Sequence, residues 1–365
     1  MESPFGRRFY VMAKPAGARC NMRCGYCYYL HKHDDSPMEM SDGMLELFVR
    51  QYIEAQSKSE VLFTWHGGEP MLRGLEFYRR VLALQRHYAD GLHVDNVLQT
   101  NGTLMTDEWA QFLHDNGFLV GLSLDGPRWL HDKYRGQYDR VLRAVEMLER
   151  HDVMWNAMAV VTKDSAANAR EVYRFFRSIG AHYLQFSPLV YNPSCDNVEH
   201  VAPYTRSAAL TAEEWGTFLC DVFDEWRENG DVGEYYVETF DATLAALVGV
   251  TPGTCCFSPT CGQVGVIEHN GDVYSCDHFV APPYRLGNIR QTSLFQLMNS
   301  REQRAFGLRK SERLSEKCRS CEFLRLCYGE CPKNRLPNGD NILCDGYRRY
   351  FRHTWDFMQE MSVKC

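Results

Sequence analysis

Three cysteines stand close together near the start of the sequence: Cys20, Cys24 and Cys27, in the spacing C-x3-C-x2-C. Thiolates so placed hold metal, and a four-iron cluster is normally held by four of them. Three leave one iron open to a ligand from outside the protein. A zinc knuckle is the competing reading, but zinc usually completes four ligands locally. The nearest candidates, His31 and His33, are out of step with the cysteines. An iron–sulfur cluster with one open iron is the better account.

A second field of cysteines begins after Thr251, where the chain turns loop-rich, the habit of a small module stapled by metal. Cys318, Cys321, Cys327 and Cys331 run as C-x2-C-x5-C-x3-C, which taken alone is as readily a zinc site. Coexistence with the N-terminal trio and with Cys255, Cys261 and Cys276 favours iron–sulfur again. Cys255 and Cys256 are adjacent, and the five-residue gap to Cys261 selects Cys255. Cys195, Cys220, Cys256 and Cys365 are left over as inert or packing residues. Asp277 follows Cys276 on an expected strand, where successive side chains face opposite ways. One can then ligate while the other faces an adjoining cavity as a proton acceptor. A surface aspartate beside a hairpin is the plainer reading.

These residues need a scaffold, and 365 residues with 45% apolar content supply one or two packed domains. A net charge of −7 argues against a nucleic-acid or anionic-membrane footprint. The N-terminus lacks the apolar core of a signal peptide, and no run approaches the roughly 18 apolar residues that cross a bilayer. A cytoplasmic protein is expected, where thiols stay reduced, so the cysteines are not a disulfide framework.

From Phe9 to about Val190, β-rich runs alternate with amphipathic helices, the pattern of a parallel α/β sheet. Strands are predicted at Phe9–Lys14, Val61–Trp65, Val94–Thr100, Leu119–Leu124, Trp155–Val161 and Tyr183–Ser187. Ser41 and Thr106 are expected to cap helices, and Thr211 with Glu214 forms a capping box for a bridging helix through Trp226. A hairpin is legible at 264–276, turning at Asn270-Gly271. Six strand–helix units predict a partial (β/α)6 barrel over residues 1–205, with chemistry at the C-terminal strand ends. Bridging helices follow over 206–250 and a cysteine-rich domain over 251–365.

Cys20, Cys24 and Cys27, with Tyr26 before the last, resemble the signature of the radical S-adenosylmethionine (SAM) superfamily. Gly67-Gly68-Glu69-Pro70 resembles its GGEP segment, where a Gly-Gly pair lets backbone approach a ligand closely. From about Tyr10 to Tyr350 the chain is similar to anaerobic sulfatase-maturating enzymes, through Gln99-Thr100-Asn101-Gly102-Thr103 and Ser123-Leu124-Asp125-Gly126-Pro127. The resemblance implies SAM contacts from Tyr26, Gly68, Ser123, Arg135 and Val190, and Asp277 as the catalytic aspartate. It implies three 4Fe–4S clusters, two of them in a SPASM extension. One of these takes Cys255, Cys261, Cys276 and Cys331; the other takes Cys318, Cys321, Cys327 and Cys344. Some relatives carry Gln where this chain has His66, which leaves the role of His66 open.

The implied reaction oxidises a cysteine or serine of a sulfatase to Cα-formylglycine. A 5′-deoxyadenosyl radical would take a hydrogen atom from Cβ, Asp277 the thiol or hydroxyl proton, and an auxiliary cluster the second electron. The implied partners are an unfolded or nascent sulfatase with a Cys/Ser-x-Pro-x-Arg motif and a flavodoxin- or ferredoxin-type donor. A monomer without nucleic-acid or membrane partners is expected. One rival is another SPASM-type peptide maturase, for instance a thioether-forming one. Such relatives often carry a leader-binding domain, whereas only Met1 to Arg8 precede the first strand here. A non-catalytic electron-transfer protein and a zinc-stabilised binding module are rivals of other classes, which SAM cleavage and the colour of the anaerobic protein would separate.

Overall fold

The computed structural model describes residues 8–29, 32, 39–56, 60–194 and 204–364. Cys195, Cys365, His31, His33, residues 1–7 and most of the linker expected between Asn192 and Arg206 lie outside them.

Alternating apolar runs of β-branched and aromatic residues form six parallel strands in chain order. They are β1 (Tyr10–Lys14), β2 (Glu60–Trp65), β3 (His93–Thr100), β4 (Leu119–Ser123), β5 (Trp155–Val161) and β6 (Tyr183–Pro188). The two-residue β7 (Tyr236–Val237) adds to β6, also parallel. At the other edge β8 (Val264–Glu268) pairs parallel with β1, Tyr10 opposite Val264 and Lys14 opposite Glu268. The antiparallel strands β9 (Asp272–Tyr274) and β10 (Arg285–Asn288) complete one ten-stranded sheet. The hairpin of the cysteine-rich part thus continues the barrel sheet, and the boundary placed near residue 251 does not separate two sheets.

The helices start where side chains satisfy otherwise orphaned N–H groups. Ser41 accepts from Met44 N, Thr106 from Trp109 N, and Thr211 with Glu214 closes its capping box. The helices at Asp42–Glu54 and Gly74–Tyr88 cover β1 and β2, burying Phe48, Tyr52, Phe63, Trp65 and Tyr78 among one another. Trp65 Nε1 donates to Asn96 Oδ1 at 2.9 Å, so this buried ring leaves no orphan donor. The bridging helix Ala212–Glu228 packs along the final helix Cys344–Lys364, with Trp215 edge-on to Tyr347. No described helix is long and apolar enough to cross a membrane.

Candidate active site and cluster cages

The Cys20–Cys27 loop leaves the C-terminal end of β1 and is tied down by the end of β2. Gly68 N donates to Gly17 O and Glu69 N to Arg19 O, both at 2.8 Å. A Cβ on Gly68 would lie 2.0 Å from Arg19 O. Glycine is required here for the close approach of two backbones, before any ligand is considered. The Glu69 side chain is wholly buried and accepts from Asn101 N, Met71 N and Thr100 Oγ1 at 2.8–2.9 Å, while burial pushes its carboxyl up to about 7. Asn101 Nδ2 then reaches Cys20 Sγ at 3.7 Å, which links β3 to the thiol loop. Gly68→Ala is expected to displace that loop and lower the iron content, because the thiols it carries would no longer converge. Iron analysis of the anaerobically reconstituted variant checks this; full iron content would show that the loop tolerates the shift.

Arg135 lies at the end of the Arg128–Tyr134 helix and is not a solvated charge. Its Nε donates to Asp125 Oδ1 at 3.0 Å, its guanidinium lies 5.3 Å from the centre of the Tyr26 ring, and it interacts with the Cys24 thiol. Asp125 is buried, and also accepts from the Tyr26 hydroxyl and, at 3.0 Å, from Val160 N. Burial pushes the Cys24 thiol up, against the pull of Arg135. Ser123 ends β4 and accepts from Gln99 Nε2 at 3.2 Å. Tyr26 and Arg135 therefore meet on Asp125, and Ser123 stands two residues before it at the end of its strand. Val190 is half-buried two residues beyond β6.

Asp277 faces the same end of β1. The ladder stops at Tyr274, short of the predicted Cys276, because Ser275 N bonds to Tyr284 O instead and Asp277 opens a tight turn to Phe279. Lys14, the last residue of β1 and 1% exposed, makes an ion pair with Asp277 Oδ1. The Tyr28 hydroxyl donates to Oδ2 at 2.5 Å. Burial alone would raise the Asp277 carboxyl, but the Lys14 ammonium beside it outweighs burial and holds the group well below the usual carboxylate range. His66 Nδ1 accepts from Gly67 N at 2.6 Å, so in the neutral ring Nε2 carries the proton. Tyr28 follows Cys27 and Asp277 follows Cys276, so one hydrogen bond joins the two cysteine fields.

The remaining thiols form two groups. Cys318, Cys321, Cys327 and Cys344 line one small cavity. Cys255, Cys261, Cys276 and Cys331 line another, larger one, in which Gln185, Ser187 and Glu238 also take part. Within it Cys255 interacts with Cys261 and Cys276, and Cys331 with Cys276. Cys256 lines the same cavity, yet its thiol meets Thr254 Oγ1 at 3.1 Å and faces Glu330. Burial raises Cys276 and Cys327 to about 12. Such thiols lose their protons when metal binds. Among the described residues no three His, Cys, Asp or Glu side chains close tightly enough to hold a single metal ion. Four thiols around one cavity match the number and type of ligands that a four-iron cluster takes. Cys220 is buried on the bridging helix. Sequence reasoning missed Lys14, Tyr28 and Asp125. Asp125 stood within a quoted segment, but nothing local marks Lys14 as buried.

Residues 15–176 match the family model described as the radical SAM superfamily, and residues 255–322 that of an iron–sulfur cluster-binding domain. The chain is 45% identical to a serine-type anaerobic sulfatase-maturating enzyme of Bacteroides thetaiotaomicron, covering 99% of this chain and 92% of that one. It is 33% identical to a cysteine-type enzyme of Clostridium novyi, covering 93% and 94%. Among solved structures, native anSMEcpe with bound AdoMet and Cp18Cys peptide superposes with a TM-score of 0.87 at 31% identity, over 98% of this chain and 100% of that one.

Proposed function

The chain belongs to the anaerobic sulfatase-maturating enzymes of the radical SAM superfamily, which make Cα-formylglycine, and on that premise we propose that it acts on serine in preference to cysteine. Identity is 45, 38 and 37% to serine-type relatives but 33% to cysteine-type ones. A hydroxyl is less acidic than a thiol, so its oxidation asks more of the acceptor. Asp277 is an ionised carboxylate that Lys14 and Tyr28 hold in place, so it acts through position and not through raised basicity. The Nε2–H of His66 is a donor for the hydroxyl oxygen.

One observation carries the rest of the reading: Asp277 stands between the loop of Cys27 and the ligand Cys276. Cys20, Cys24 and Cys27 would hold the SAM-binding 4Fe–4S cluster. Cys255, Cys261, Cys276 and Cys331 would hold one auxiliary cluster, and Cys318, Cys321, Cys327 and Cys344 the other. When bound, these groups supply the adenosyl radical and a sink for the second electron. Tyr26, Gly68, Ser123, Arg135 and Val190 orient SAM, and Asp277 takes the hydroxyl proton as the Cβ hydrogen leaves. The substrate is an unfolded sulfatase segment with a Ser/Cys-x-Pro-x-Arg motif. A flavodoxin- or ferredoxin-type protein delivers electrons to a cytoplasmic monomer.

Paired peptides of roughly twenty residues, differing only at the target, test this. The serine peptide should be converted faster, with a mass loss of about 2 Da, against about 18 Da for cysteine, because only the side-chain terminus changes. Faster conversion of cysteine would reverse the preference. Steady SAM cleavage with neither mass change would point to a different peptide substrate.

A further inference from the structure

The two auxiliary thiol groups are joined by three residues, Tyr328-Gly329-Glu330, between Cys327 of one group and Cys331 of the other. All three are left-handed, with φ of 45°, 70° and 52°. Tyrosine and glutamate rarely adopt this conformation, and it persists only where surroundings impose it. Here the imposing group is Arg335. Its Nε donates to Gly329 O at 2.9 Å, and Nη2 to Tyr328 O at 2.7 Å and Glu330 O at 3.2 Å. The other arm, Nη1, donates to Lys310 O at 2.6 Å. Lys310, 1% exposed, in turn donates through Nζ to Cys255 O and Cys256 O at 2.9 and 2.6 Å.

Arg335 is itself buried, and the charged groups around it come from both fields: Cys318 from one, Cys261 and Cys331 from the other, with Glu330 between them. The Glu330 carboxylate is occupied by Asn334 and Asn341, at 2.9 and 2.7 Å. A buried guanidinium is a permanent cation with a rigid fork. Placed between two cages it favours the reduced, more negative form of whatever cluster each holds, since net charge and hydrogen bonding set cluster potentials.

We propose that Arg335, shared by the two auxiliary sites, raises the reduction potential of both. This rests on the reading of each cysteine quartet as an iron–sulfur cage. The test uses full-length protein in a Cys20→Ala/Cys24→Ala/Cys27→Ala background, so that only auxiliary clusters contribute to an EPR-monitored redox titration. Arg335→Gln keeps donors for the carbonyls and removes the charge; Arg335→Lys keeps the charge and loses the fork. The glutamine variant should hold parent-like iron with both midpoint potentials lowered, and the lysine variant should return both toward the parent. Unchanged potentials in the glutamine variant, or a shift at one site alone, would overturn the proposal. So would loss of auxiliary iron from the glutamine variant, the behaviour of a mere scaffold residue. A background protein with zinc or no iron would instead remove the cage reading, and the role of Arg335 with it.

Discussion

Replacing Cys20, Cys24 and Cys27 together with alanine is expected to abolish SAM cleavage and to remove about a third of the iron, leaving roughly eight atoms of twelve. The loop that carries them is anchored by bonds that the substitutions leave in place. Gly68 and Glu69 donate to its first turn, and Gly25 N donates to Tyr134 O at 2.7 Å. The eight auxiliary thiols line separate cavities. The triple variant should therefore fold, keep its auxiliary absorbance and lack every step that follows radical formation. Iron analysis and 5′-deoxyadenosine assay on the anaerobic protein decide it. Stoichiometric zinc with little iron in the parent would remove the cluster reading, and residual SAM cleavage in the variant would place the open iron elsewhere.

The barrel was legible because its signals are local. Short β-rich runs bounded by helical patterns locate all six strands to within a residue at either end. Ser41, Thr106 and Thr211 mark three helix starts through a hydrogen bond that spans three residues. The grouping of cysteines into fields was equally local. What periodicity does not encode is pairing between distant segments. That β8 docks beside β1 depends on contacts across most of the chain, and this docking brings Asp277 against Lys14. A lysine at a strand end reads as an exposed charge until its partner is known. Arg135 and Arg335 are alike in this: each looks like ordinary surface charge in sequence, yet Arg335 is buried and Arg135 mostly covered by groups from elsewhere. The two-residue β7 is too short to carry a pattern at all.

That docking changes what Asp277→Asn should do. The substitution keeps size and leaves the neighbouring Cys276 untouched, but it leaves Lys14 as a buried cation without its counter-charge. Breaking such a pair by removing one partner costs about 3–5 kcal/mol, so lost activity in the single variant would confuse a missing base with a loosened fold. Lys14→Met/Asp277→Asn removes both charges and should recover most of that stability in thermal unfolding of iron-matched protein. If Asp277 accepts the substrate proton, formylglycine formation stays down by roughly 10²- to 10⁴-fold in both variants, the usual worth of a positioned base. SAM cleavage depends on the N-terminal thiol loop and should persist in both. The measured quantity is the ratio of formylglycine to 5′-deoxyadenosine. A low ratio in the stable double variant assigns Asp277 to proton transfer. A ratio restored to that of the parent would leave Asp277 as a strut between Lys14 and Tyr28. A parallel fall of both products would mean that the pair holds the substrate or the nearby cluster, with the proton taken by another group.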